Sequence, residues 1–236
     1  MRQPLGGLSP PFADRLVALV EERRSQLCLG IDPDPAKLDP ASGEAGGSPA
    51  ERAAEGIVQH CRSLIERAGP ACVAVKLQLA CFERLGAPGW AALGRTASAA
   101  REAGLLVLAD GKRGDVPVSA AAYGQALFGS TATPWGEVGG LGADAATANP
   151  LLGVDALEPL LDAAEDAAAG LFCLVRTSNP GAADVLDLPT PDGPLFERLA
   201  TLVADRAGRL TGQSGLSGLG PWWGRPSRGT SVGCAS

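Results

Sequence analysis

Five short apolar runs recur along the chain, and each carries or is followed by a polar or charged side chain. They are Leu27–Ile31, closed by Asp32; Cys72–Leu77, which holds Lys76; Leu105–Ala109, followed by Asp110 and Lys112; Ala143–Ala148, followed by Asn149; and Leu171–Arg176, followed by Thr177, Ser178 and Asn179. Runs of this length, bounded by turn residues, read as buried strands. Between them lie stretches of helical period: Ala50–Ala68, Gly89–Ala103, Val118–Phe128, Asp155–Ala169 and Leu195–Leu210. Strand usually follows strand at about 30 to 40 residues, which suits either a barrel or a doubly wound parallel sheet. The polar residues favour the barrel. Functional groups at the C-terminal ends of successive parallel strands are how a (β/α)8 barrel builds its active site. Ser42–Ser48 and Gly129–Gly142 read as Gly-rich loops, with no short repeat and no domain linker.

With 236 residues, 45% of them hydrophobic, the chain can bury a real core. Its net charge of −6 argues against a nucleic-acid-binding surface. Its longest apolar runs are far short of the roughly 20 residues of a membrane span. No apolar leader stands between Met1 and Phe12, so no secretory signal is expected. Six cysteines without C-x-x-C spacing fit a reduced, cytoplasmic setting, with Cys28, Cys72 and Cys173 as small buried hydrophobes. His60 is the only histidine, and it reads as a surface residue of a helix. No metal site is expected.

The segment Leu105–Ala120 reads L-L-V-L-A-D-G-K-R-G-D-V-P-V-S-A. Asp110 and Lys112, two apart at a strand end, point to one face. Asp115 lies beyond, in a loop with Gly111 and Gly114. Taken alone, D-x-K-x-x-D is equally a surface salt bridge in a charged loop. Its companions are G-I-D-P at Gly30–Pro33, V-K-L-Q at Val75–Gln78, T-A-N-P-L-L-G-V-D at Thr147–Asp155 and R-T-S-N-P-G at Arg176–Gly181. Together and in this order they resemble the orotidine 5′-phosphate decarboxylases, in particular the second, mainly bacterial type. The resemblance runs over about residues 12 to 220. Three positions depart from the family pattern: Val116 for Ile, Ser119 for Thr, and Leu186 where a Gln is usual.

The resemblance implies a TIM barrel that decarboxylates orotidine 5′-phosphate to UMP without a cofactor. Lys76, Asp110, Lys112 and Asp115 would form the catalytic array, with Lys112 as the proton donor. Asp32, Ser119, Asn149 and Ser178 would contact the nucleotide, Asp32 through its ribose hydroxyls. Asp115 would reach the partner subunit's site, which implies a homodimer. Two alternatives remain open: a Mg²⁺-dependent sugar-phosphate decarboxylase or synthase of the same superfamily, and a catalytically dead remnant.

The stretch Thr211–Ser236 has no acidic residue and no apolar run, and it contains Trp222 and Trp223. The family's sixth strand typically reads G-A-V-V-G-A-T. GC-rich codons for it, read one base late, give the Pro-Trp-Trp-Gly-Arg-Pro of Pro221–Pro226. The expectation is therefore a partial barrel over residues 1–220 and an out-of-frame tail over 221–236. Strands six to eight would be missing after about Gly220, and with them the phosphate-binding loop P-G-x-G-A-Q-G and a late Arg. This chain is then expected to be inactive.

Overall fold

The computed structural model describes residues 9–40 and 46–224. A first helix, α1 (Phe12–Arg23), precedes β1 (Leu27–Ile31), and α2 (Pro49–Ala68) leads to β2 (Cys72–Gln78). Then come α3 (Leu79–Glu83), α4 (Ala87–Glu102), β3 (Leu106–Arg113) and α5 (Pro117–Leu127). A hairpin of β4 (Ser130–Thr133) and β5 (Gly136–Gly139) precedes β6 (Ala145–Ala148), α6 (Val154–Asp166) and β7 (Gly170–Arg176). The last elements are α7 (Ala182–Val185), a second hairpin of β8 (Pro189–Thr190) and β9 (Gly193–Pro194), α8 (Leu195–Ala204) and β10 (Leu219–Trp223).

Six strands form one parallel sheet in the order β1-β2-β3-β6-β7-β10. Each strand joins beside its predecessor, with no reversal. A doubly wound sheet reverses its order at a switch point, so this is the order of a barrel left incomplete. The helices follow local rules. Ser48 and Glu51 form a capping box at the start of α2, with Pro49 in its first turn. Ile57, Val58, Cys61 and Ile65 of α2 enter the core.

The two faces of the sheet differ. Val75, Leu77, Val107, Ala109, Leu171, Cys173 and Val175 point outward into the main core with the helices. The other face carries Lys76, Gln78 and Asp110 near the strand ends. Below them, Leu106, Leu108 and Ala145 pack with Phe12 of α1, Phe172 and Trp222. Phe12 and Phe172 meet edge to face at 6.0 Å. A Cβ on Gly170 would stand 2.5 Å from the Phe12 ring, so this position accepts only glycine.

The structure corrects three expectations. A sixth strand exists: Leu219–Trp223 pairs with Leu171–Arg176. The sheet edge at β7 offers unpaired backbone groups, and Pro221 is tolerated because β10 is itself an edge strand. Trp222 packs edge to face on Phe172 at 6.4 Å, and Trp223 on Phe196 at 5.9 Å. Residues 225–236 of the expected tail lie outside the described residues. Cys28 is exposed rather than buried, because β1 is the opposite edge of the sheet. Within Gly129–Gly142 the chain forms the β4–β5 hairpin rather than a plain loop, and Gly136 there has φ +121°. Helix α1 had not been anticipated. Cys72 and Cys173 are buried, His60 is exposed on α2, and Cys234 lies outside the described residues. Among the described residues no helix is long and apolar enough to cross a membrane.

Candidate active site

Period-two geometry brings Lys76 and Gln78 onto one face of β2, beside Asp110 of β3, because Gln78 is in register with Asp110. Asp110 is only 2% exposed. Its Oδ2 accepts hydrogen bonds from Lys76 Nζ at 3.0 Å and Gln78 Nε2 at 3.2 Å. Its Oδ1 accepts from Lys112 Nζ at 2.5 Å and from Thr147 Oγ1, on β6, at 2.9 Å. Lys76 Nζ also donates to Asp32 Oδ1, just past β1, at 3.3 Å. Asp32, Lys76, Asp110 and Lys112 thus form one chain of alternating charge. The fully bonded Asp110 at its centre satisfies what a buried carboxylate requires.

The titration of the chain follows from this placement. Burial disfavours the Asp110 carboxylate, but hydrogen bonds from Lys112, Lys76 and Thr147 outweigh it and hold its pKa below the ordinary value. Burial likewise disfavours the Lys76 ammonium, and Asp110 together with Asp32 overcomes it, raising the lysine's pKa. Both groups are held ionised at neutral pH.

The remaining sequence-derived residues are placed differently. Asp115 is half-buried and accepts the N–H of Val116 at 2.7 Å; among the described residues it has no ion pair. Ser119, in the first turn of α5, is half-buried, and Ser178 is exposed. Neither hydrogen-bonds to the array. Asn149 Oδ1 accepts from Leu151 N at 3.1 Å, and Asn149 N donates to Arg113 O at 2.8 Å. A Cβ on Gly114 would stand 2.4 Å from Asn149 O, so the loops after β3 and β6 touch here.

Sequence reasoning assigned no role to Gln78 or Thr147, although both lay inside quoted motifs. Gln78 could have been found from its spacing to Lys76, and Thr147 as the one polar residue in an alanine strand. Trp222 gave no such signal, yet its ring lies 5.8 Å from Lys112 Nζ, within cation–π range. Among the described residues no three His, Cys, Asp or Glu side chains converge on a possible metal position.

The family described as orotidine 5′-phosphate decarboxylase / HUMPS matches residues 25–214. The chain belongs to this family. It is 36% identical over 198 residues to an orotidine 5′-phosphate decarboxylase of Rhodopirellula baltica, covering 82% of this chain and 64% of that protein. Against the Deinococcus radiodurans enzyme of that name the identity is 38% over 209 residues, covering 89% and 65%. The chain therefore spans just under two thirds of these curated relatives. Among solved structures it is similar to a putative orotidine 5′-phosphate decarboxylase from Streptomyces avermitilis. The TM-score is 0.74 and the identity 33%, covering 94% of this chain and 72% of that one. It also resembles the Leishmania donovani UMP synthase, with TM-score 0.64 and 34% identity over 84% of this chain and 37% of that one.

Proposed function

We propose that this family member decarboxylates orotidine 5′-phosphate to UMP in pyrimidine nucleotide synthesis, using the Lys76–Asp110–Lys112–Asp115 array and no cofactor. The observation that carries the reading is Asp110, buried and held between two ammonium groups. In the reaction the bond from C6 to the carboxylate breaks, CO₂ leaves, and the electron pair stays on C6. A fixed cation beside C6 stabilises that charge, and Lys112 then gives its proton to the carbon. Asp110 keeps Lys112 on station before substrate arrives. Asp32 is proposed to take the ribose hydroxyls, with Ser119, Asn149 and Ser178 as further nucleotide contacts. The Mg²⁺-dependent alternative is less well supported, because the carboxylates of Asp32 and Asp110 are already engaged by lysine.

A homodimer is part of the proposal. Among the described residues Asp115 has no ion pair, and it stands beside exposed Val116 and Val118, while the adjoining loop presents exposed Leu151 and Leu152. An apolar rim around an unpaired carboxylate suits a second copy of the chain. A cytoplasmic setting is proposed on the buried, free Cys61 and Cys173.

The test is UMP formation from orotidine 5′-phosphate by the 236-residue chain and by a form with one base restored before codon 221. UMP from the frame-restored form, insensitive to EDTA and reduced about 10³-fold by Lys112→Ala, and none from the 236-residue chain, is the expected result. Two folded proteins that both make no UMP would overturn the proposal, and strict Mg²⁺ dependence would move it to the sugar-phosphate chemistry.

A further inference from the structure

The position of the Lys112 ammonium depends on an unusual backbone. Lys112 has φ +49°, a left-handed conformation that a residue with a Cβ adopts only when its surroundings impose it. On the side of the array two hydrogen bonds hold the segment. Lys112 N donates to Thr147 Oγ1 at 2.9 Å, and Arg113 O accepts from Asn149 N at 2.8 Å. On the far side the restraint comes from the Arg113 side chain. It folds back over Gly111, where a Cβ would stand 3.1 Å from its Nε. Its guanidinium pairs with Glu83 of α3 and lies 5.5 Å over the Tyr123 ring of α5. Arg113 is therefore tied to helices before and after its own strand, one peptide away from the strained lysine.

We propose that Arg113, clamped between Glu83 and Tyr123, is a positioning residue that keeps Lys112 left-handed and its ammonium on Asp110. Relaxing Lys112 to an extended φ would straighten the chain between Ala109 and Arg113, where the β3–β6 register shifts, and so move the Lys112 ammonium relative to Asp110. The clamp prevents that relaxation. The catalytic consequence rests on the decarboxylase reading; the positional claim does not.

The chain has only three lysines, Lys37, Lys76 and Lys112, so each can be followed by mass spectrometry during limited reductive methylation. The Lys37 side chain is 83% exposed and serves as the internal standard. In Arg113→Met, Lys112 is expected to label about fivefold faster relative to Lys37, with Lys76 unchanged. Glu83→Gln, which releases the same clamp from its other end, should shift Lys112 the same way. Glu55→Gln breaks a remote ion pair with Arg95 and should leave Lys112 as it was. An unchanged Lys112 rate in the clamp variants, or Lys76 and Lys112 rising together, would overturn the proposal. If Arg113→Met does not fold, Glu83→Gln decides alone. The labelling needs no substrate, so its outcome stands apart from that of the decarboxylation assay. Where UMP is formed, the clamp variants should lower kcat and leave KM unchanged.

Discussion

Asp110 and Asp115 belong to one motif on one short stretch of chain, yet the structure treats them oppositely. Asp110 ends the regular part of a central strand, is 2% exposed, and accepts hydrogen bonds from Lys76, Gln78, Lys112 and Thr147. Asp115 sits in the following loop and receives one main-chain N–H, that of Val116. The difference comes from neighbours. A central strand has partners on both sides, and their registers bring Gln78 and Thr147 to Asp110. The loop meets Asn149 at Gly114, which fixes its path, and among the described residues no cation pairs with the Asp115 carboxylate. One aspartate is thus completed within the chain, while the other is available to something outside it.

The largest expected effect is on stability, and it separates the two. Asp110→Ala leaves Lys112 without a carboxylate, Lys76 with only Asp32, and Gln78 and Thr147 without their acceptor. Removing one partner from a buried ion network costs about 3 kcal/mol or more. Asp115→Ala removes a single contact near the surface and should change stability by no more than about 0.5 kcal/mol. Urea unfolding of the two variants checks this. Equal losses would mean that the buried network contributes no more than the loop.

The same contrast explains what could be read from the sequence. The strands and most helices were legible because aliphatic runs at a regular spacing leave a parallel sheet as the simple way to bury them. The array was legible as residue types: Lys76, Asp110 and Lys112 fall at strand ends. Its wiring was not. That Asp110 bonds to Gln78 and Thr147 depends on which strands are neighbours and in what register, and a single sequence does not print that. The sixth strand was missed for a related reason. Pro-Trp-Trp lacks the look of a buried strand, but an open edge at β7 and the rings of Phe172 and Phe196 make it one. Cys28 fails in the opposite direction, an apolar-run residue left exposed by its edge position.

A smaller effect sharpens the claim that Asp115 serves a partner. Asp115→Ala and Lys112→Ala, each inactive alone in the proposed dimer, are mixed under conditions that let subunits exchange. Half of a random mixture is heterodimer, and one of its two sites then carries neither substitution. Activity should recover to about a quarter of the unmutated protein's. Heterodimers that form and recover nothing would assign Asp115 to its own subunit's site.

The smallest effect concerns pH and tests whether Asp110 is held ionised. Its pKa lies below the ordinary 3.8, since hydrogen bonds from Lys112, Lys76 and Thr147 outweigh burial. A carboxylate lowered in this way contributes stability that is fully present above 3.8 and is lost as pH falls through the folded-state value. Lys76 has the opposite sign. Its pKa is raised above 10.5, so its contribution is complete below 10.5 and is lost as pH rises through the folded-state value. Between these limits the network's contribution should be flat. Acid loss in the whole protein also includes Asp14, Glu51, Glu55 and Asp187, all lowered by their own hydrogen bonds. Subtracting the unfolding free energy of Asp110→Asn at each pH removes that background, because the variant keeps those four groups. The difference curve should be level through neutral pH, shrinking on the acid side of 3.8 as Asp110 is protonated and on the alkaline side of 10.5 as Lys76 loses its proton. A difference already shrinking near neutral pH would mean that burial dominates at Asp110 and that the two lysines do not hold its charge.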